Sequence, residues 1–409
     1  MGDLINLNSQ LLASIRAEQF AGYDPFDSLN SKLLQATPLY RFEWVRLAWL
    51  QLGKRSPINL RPLLRVPKRR NPKGVGLFIS GLLQDYRRTG EARYLQEARE
   101  LADWLLAQRS DPREWTHSCW GYHFDWQARA FYVPAGKPNI ITTCYVARAL
   151  HELGQLSADQ ALIDIALDCA RFIATHLYTQ ADGRDFYAYI PGERAFVHNA
   201  SLWGAAWCAF AGTQLGDEGL VAQALRVARQ SVREQAADGS WVYGARHHHQ
   251  FIDGFHTGFN LEALCMLRDA TGSDEFDACI GQGYAYYLNT FFEEDGTARY
   301  YNDSVYPIDM HSFAQAAFTL IKVGGGASDL QLCDKVLQRA IELLYRPDKG
   351  QFIYQKSSWL TNRINYTRWT QAWAYYSLAF YNRYRAELNH AENRSVGLPD
   401  GCREHGRNR

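Results

Sequence analysis

Two aspartates stand at matching places in this chain, each with a histidine close behind. Asp253 lies 14 residues past Gly239, and Asp309 lies 13 past Gly296. His256 follows the first at +3, and His311 follows the second at +2. Paired acids with histidine and tyrosine neighbours can serve as general acid and base on a glycoside. Asp253, Asp309, His256, His311 and Tyr243 are therefore the candidate catalytic set. An Asp ahead of an apolar helix is also a good N-cap, because its carboxylate accepts free backbone N–H groups. Each of these aspartates carries that structural reading beside the catalytic one.

Other residues could bind substrate. Arg246 and Arg368 suit a planar carboxylate, which a guanidinium holds with two parallel bonds. The alternative for each is an ion pair with an acid of the protein. Trp120, Trp126, Trp241 and Trp369 could lie under sugar rings or fill the core. Asp125, His198 and Asn199 fall at comparable points of earlier units, as do His123, Arg129 and Arg194. Removing the proton beside a uronate carboxylate needs a Tyr or His base and a cationic clamp. Simple hydrolysis needs two carboxylates instead. His247-His248-His249 reads as substrate contact rather than as a metal tract, since adjacent side chains cannot all face one ion on regular backbone. Gly324-Gly325-Gly326 follows a helix, so it reads as a helix stop and not as a phosphate loop. No metal and no cofactor is expected.

The elements that position these groups come from a repeat. Five times a Gly-containing turn leads into a short aromatic run, then polar residues, then an apolar helix. The last four turn glycines, at 183, 239, 296 and 350, are 56, 57 and 54 residues apart. A fixed period of this length means stacked or ring-closed units. Charge-faced amphipathic helices are expected over 39–52, 91–108, 158–177, 217–235, 273–291 and 329–345. They alternate with helices that are apolar or small nearly all round, over 75–86, 140–153, 200–214, 259–267, 313–321 and 369–380. A helix without a polar face is enclosed by other elements. Six enclosed and six half-exposed helices predict an all-α (α/α)6 toroid, with the aromatic runs on one rim and the polar residues around a common pit. Residues 1–36 read as a lead-in, 37–388 as the toroid and 389–409 as a frayed tail.

Composition narrows the partners. The net charge of +1 gives no field for nucleic acid or acidic lipid. With 12 Trp and 24 Tyr, the chain is rich in rings that stack on sugars or fill cores. No lysine lies between Lys137 and Lys322, so a Schiff base seated mid-chain is excluded. Eight cysteines show no paired spacing, which suits a reducing compartment. No secretion signal or membrane span is read, so a cytoplasmic location is expected.

Four motifs carry a resemblance. They are Trp120 to Gln127, Pro138 to Thr143, Phe251 to Glu262, and Tyr306 to Ser312. Together they resemble the VpsJ-type proteins of bacterial exopolysaccharide clusters, which belong with six-hairpin glycosidase-like toroids. The resemblance covers roughly residues 65–380. It implies a role in making or trimming a surface polysaccharide, and no catalytic assignment. Some members carry the label delta-aminolevulinic acid dehydratase, but that chemistry needs a β/α barrel and a lysine pair that this chain lacks. The expected activity is hydrolysis, elimination or epimerisation of an acidic oligo- or polysaccharide, with a lipid-linked unit as one form of that substrate. A non-catalytic glycan-binding or scaffold role is the alternative. A lipid-active toroid is disfavoured by the dense His, Asp, Asn and Arg at the rim.

Overall fold

The computed structural model describes residues 2–127 and 132–396, with side chains for 3–127 and 132–391. Two helices precede the repeat, α1 (Gly2–Ala17) and α2 (Glu43–Arg55). Five helical hairpins follow. They are α3 (Pro72–Thr89) with α4 (Ala92–Ala107), α5 (Ile140–Ser157) with α6 (Gln160–Phe172), and α7 (His198–Leu215) with α8 (Glu218–Arg233). Then come α9 (Gly254–Thr271) with α10 (Asp277–Thr290), and α11 (Met310–Thr319) with α12 (Ala327–Leu344). Helix α13 (Ala372–Val396) ends the described chain.

The odd-numbered helices from α3 to α13 pack each on the next, and α13 closes back on α3. These are the enclosed helices of the repeat, and their burial explains why they carry no polar face. The even-numbered partners pack outside them. The fold is thus the (α/α)6 toroid read from the sequence, with one rearrangement. The sixth outer position is taken by α1, which packs on α13. Residues 2–17 therefore belong to the ring rather than to a lead-in. Helix α2, expected as an outer helix, instead packs on the rim strand Trp126–Gln127. Arg46 of α2 donates to Gln127 at 2.8 Å, which fixes the helix there. At the other end α13 runs on to Val396, past the expected boundary at 389.

All four periodic glycines have positive φ, at +74°, +91°, +86° and +61°. That left-handed region is cheap only for glycine, so the repeat marks a backbone requirement. Four of the inner helices then start from side-chain caps. Asn71, Asn139, Asp253 and Asp309 each accept an N–H in the first turn of α3, α5, α9 and α11. This brings the N-terminal ends of the inner helices, and the polar residues beside them, to one rim.

Three residues expected at the pit serve the core instead. Trp120 is wholly buried and its indole donates to the Leu105 carbonyl of α4 at 2.7 Å. Trp241 is buried too and donates to the Ser231 carbonyl of α8 at 2.9 Å. In both units the indole ties the aromatic run to the end of the outer helix, which points it away from the pit. His198 lies at the start of α7 but turns outward. Its Nδ1 is 3.1 Å from the Ser231 hydroxyl, and its ring packs on Phe196.

The start of the chain is locked to its end by buried charge. Asp24 accepts from Arg368 Nε at 2.5 Å and from Nη2 at 2.8 Å, with side chains 1% and 4% exposed. Arg61 makes the neighbouring pair with Asp27 at 2.6 Å and donates to the Tyr366 hydroxyl at 2.9 Å. Removing one partner strands a buried charge. Asp24→Ala is expected to cost about 3–5 kcal/mol in urea unfolding, and Asp24→Ala with Arg368→Met should recover part of it. A second expectation concerns acid. Burial lowers the His198 pKa to about 4. The unfolded chain therefore takes up this proton first as pH falls, and stability present above pH 6.5 is lost down to about pH 4. His198→Phe should flatten the stability–pH slope in that window by about 1.4 kcal/mol per pH unit.

Candidate active site

A cavity of about 500 Å³ opens on the rim where the inner helices begin. Its floor is formed by Lys73 of α3, Tyr145 of α5, Trp203 of α7, Phe259 of α9 and His311 of α11. Trp126, Tyr122, Tyr189, Phe255 and Trp369 make aromatic walls, and Leu47, Leu50, Gln51 and Lys54 of α2 form part of the lip. Of the expected site residues, Asp253, His256, His311, Tyr243, Asn199, Arg246, Arg368, Trp126 and Trp369 line this space. Asp309, Asp125, Trp120, Trp241 and His198 do not. Arg129 lies outside the described residues, and Arg194 is exposed on the surface.

Asp253 and His256 form the most chemically able pair. Asp253 is 2% exposed and caps α9, taking the His256 N–H on Oδ1 at 2.7 Å. Its Oδ2 takes the imidazole Nδ1 of the same residue at 2.6 Å. A carboxylate only accepts, so Nδ1 carries a proton, and in the neutral ring the Nε2 lone pair is left without a hydrogen-bond partner among the described residues. That is the tautomer a general base needs. The ring is steadied by Tyr243 at 4.6 Å and Phe255 at 4.4 Å. Burial pushes the Tyr243 phenol well above its usual range, so it can donate but is no base at neutral pH.

Asp309 is not the partner acid of Asp253. It is wholly buried and caps α11 through the His311 N–H at 2.8 Å. Its other bonds come from the Trp369 indole at 3.2 Å and from Gln355 at 3.1 Å. Burial pushes its pKa up to about 7, against the pull of these donors. Its work is to orient Trp369, which faces the cavity. His311 has a comparable fate. Its ring stacks between Phe255 at 4.8 Å and Trp373 at 4.6 Å, and burial drives it well below the usual imidazole range. Both its nitrogens are buried without a hydrogen-bond partner among the described residues.

The expected clamps already hold carboxylates. Arg368 is the partner of Asp24. Arg246 donates to Glu193 at 2.6 Å, and the same Glu193 oxygen accepts the N–H groups of Arg194 and Ala195 at 2.7 Å. Asp125 also works away from the cavity. It accepts from the Tyr40 hydroxyl and from the Ala135 N–H, which pins the segment before α2 to the rim. Of the histidine tract, His248 and His249 reach the cavity. Among the described residues no three His, Cys, Asp or Glu side chains converge as metal ligands would.

Sequence reasoning missed Lys73, Lys54, Glu193 and the Tyr122–Tyr189 pair, whose hydroxyls meet at 2.8 Å. Lys73 left a signal. It stands in Asn71-Pro72-Lys73-Gly74, a cap and helix start leading into an apolar inner helix, where a lysine has no solvent to reach.

No family model matches this chain, and no curated protein matches it. Solved structures match its fold. An unsaturated glucuronyl hydrolase specific for heparin is 13% identical, with a TM-score of 0.62 over 95% of this chain and 96% of that one. Cellobiose 2-epimerase from Bacillus thermoamylovorans is 12% identical, with a TM-score of 0.60 over 78% of this chain and 90% of that one. An α-mannanase of Bacteroides thetaiotaomicron is 12% identical, with a TM-score of 0.61 over 77% and 87%. These similarities establish the six-hairpin toroid as the fold of this chain.

Proposed function

We propose that the protein is a carbohydrate-active enzyme that moves a proton at a sugar carbon of an acidic oligo- or polysaccharide. The reading fits epimerisation or elimination better than two-carboxylate hydrolysis. One observation carries it: the Asp253–His256 dyad lines an aromatic-walled cavity, and the imidazole Nε2 has no hydrogen-bond partner among the described residues. In the proposed step Nε2 takes the proton from the carbon beside the uronate carboxylate. The electron pair passes into the carboxylate, giving an enediolate. Return of a proton on the opposite face gives the epimer, whereas loss of the oxygen at the next carbon gives an unsaturated sugar. In this reading the Tyr243 hydroxyl, whose ring meets that of His256 at 4.6 Å and so stands on the base's side of the sugar, is the donor to the leaving oxygen, and the proton that gives the epimer comes from solvent. Hydrolysis of a glycoside calls for two working carboxylates. Asp309 does not line the cavity, and Glu193 is taken up by Arg246 and two backbone N–H groups.

The solved structures of like fold are named for work on sugars, which supports the substrate class. The motifs resembling VpsJ-type proteins surround this cavity, which supports a place in making or processing an exopolysaccharide. We further propose a cytoplasmic site of action, where a lipid-linked or nucleotide-linked unit would be the form presented.

The test is turnover of uronate oligosaccharides in deuterated water. The parent protein should place solvent deuterium at the carbon beside the carboxylate if it epimerises, or release a sugar unsaturated at that carbon if it eliminates. His256→Gln should lower kcat by about 10²–10⁴-fold, the range for loss of a general base. Asp253→Asn should act in the same direction, since an amide no longer sets the imidazole tautomer. Unchanged exchange in His256→Gln would remove this residue from the mechanism. Binding by the parent protein with no turnover would point instead to a glycan-binding protein.

A further inference from the structure

Lys73 is buried at the cavity floor without a counter-ion. It is 4% exposed and lies in the first turn of α3. Three rings enclose its ammonium, Tyr145 at 4.6 Å, Trp373 at 5.3 Å and Phe259 at 5.9 Å. Ring faces attract a cation but carry no net charge to neutralise it. No ion pair or hydrogen bond to Lys73 occurs among the described residues. The neighbouring charges do not help. Arg368 repels it, and Asp24, the acid that attracts it, is held bidentately by Arg368. The N-terminal end of α3 adds partial positive charge of its own. His311 beside it is neutral. Burial, and Arg368 after it, drives the Lys73 pKa well below the usual lysine range, so its charged form is costly until an anion pairs with it, and an apolar side chain would fill this cage at no such cost.

We propose that the counter-ion of Lys73 is the substrate itself: a carboxylate on the sugar seated deepest in the cavity. The inference rests on the carbohydrate reading above and adds the residue that selects an acidic sugar over a neutral one. It moves the clamp role from Arg246 and Arg368, which have carboxylates of their own, to an ammonium that has none. Lys54 is the second cation of this kind on the lining. It stands over Phe26 at 4.9 Å, with no ion pair among the described residues, and extends the positive field toward the mouth.

Lys73→Met separates the possibilities. Removing an uncompensated charge should raise the melting midpoint of the free protein, by about 2 °C or more. The same change should weaken glucuronate binding by about thirtyfold or more, the loss expected when a buried charge pair is broken. Glucose binding, read by calorimetry on the same samples, should change little. A variant that melts lower, or fails to fold, would overturn the claim that the charge is uncompensated. Retained glucuronate affinity would overturn the pairing. Equal affinity of the parent protein for glucose and glucuronate would sink this proposal and leave the carbohydrate reading standing. Binding of neither sugar would sink the carbohydrate reading and this proposal with it. Inorganic phosphate that protects the parent protein as well as glucuronate does, but not the variant, would overturn the assignment to a sugar carboxylate.

Discussion

The bidentate Asp24–Arg368 pair closes this molecule. A ring of helical hairpins needs its first and last members brought together, and sequence neighbours cannot do that. Here the joint is ionic. Asp24 lies after α1, and Arg368 lies in the Thr367–Gln371 turn that opens α13. The parallel tie of Arg61 to Asp27 and Tyr366 doubles the joint. Both pairs are almost wholly buried; Arg61 donates from all three of its nitrogens and Arg368 from two, hydrogen bonding that makes buried charge tolerable. The joint also sets the electrostatics of the cavity, because it satisfies Arg368 and Asp24 with each other. Lys73, one helix away, is left as a cation without an acidic partner among the described residues.

Much of the ring was legible because burial on all sides leaves a mark that composition cannot hide. Helices α5, α7 and α11 have almost no charged residues, and each is buried along nearly its whole length. The periodic glycines were legible for a different reason, a positive φ that other residues rarely adopt. What could not be read was pairing across the ends of the chain. Helix α1 is an ordinary amphipathic helix, and nothing in its residues says that it covers α13. Helix α2 has the same pattern and took the rim. Periodicity shows that a helix has a face to bury, not against what.

The site was half legible for a related reason. Polar residues near the start of an inner helix do gather at the rim, and nine of the named candidates line one cavity. Direction within the rim was not readable. Trp120 and Trp241 sit inside the aromatic runs, yet their indoles satisfy carbonyls near the ends of outer helices, which turns them outward. Lys73 stands far along the chain from Asp253 and His256, yet it lies on the floor of the same cavity. In the closed ring, position along the chain carries little information about distance from the pit.

The two aspartate–histidine pairs show how finely the outcome depends on spacing. Both aspartates cap an inner helix with the same kind of bond. With histidine at +3, the capped N–H and the imidazole belong to one residue, and both reach the carboxylate: Oδ1 holds the backbone and Oδ2 holds Nδ1. The cap itself then builds an oriented base. With histidine at +2, Asp309 takes only the backbone N–H, and the ring of His311 swings into the stack of Phe255 and Trp373. The second oxygen of Asp309 is left for Trp369 and Gln355. One residue of register thus separates a dyad facing the cavity from a cap that braces a wall. Two sites that look alike as sequence divide the labour, because a helix start fixes which N–H the carboxylate meets, and the chemistry follows from whose side chain comes with it.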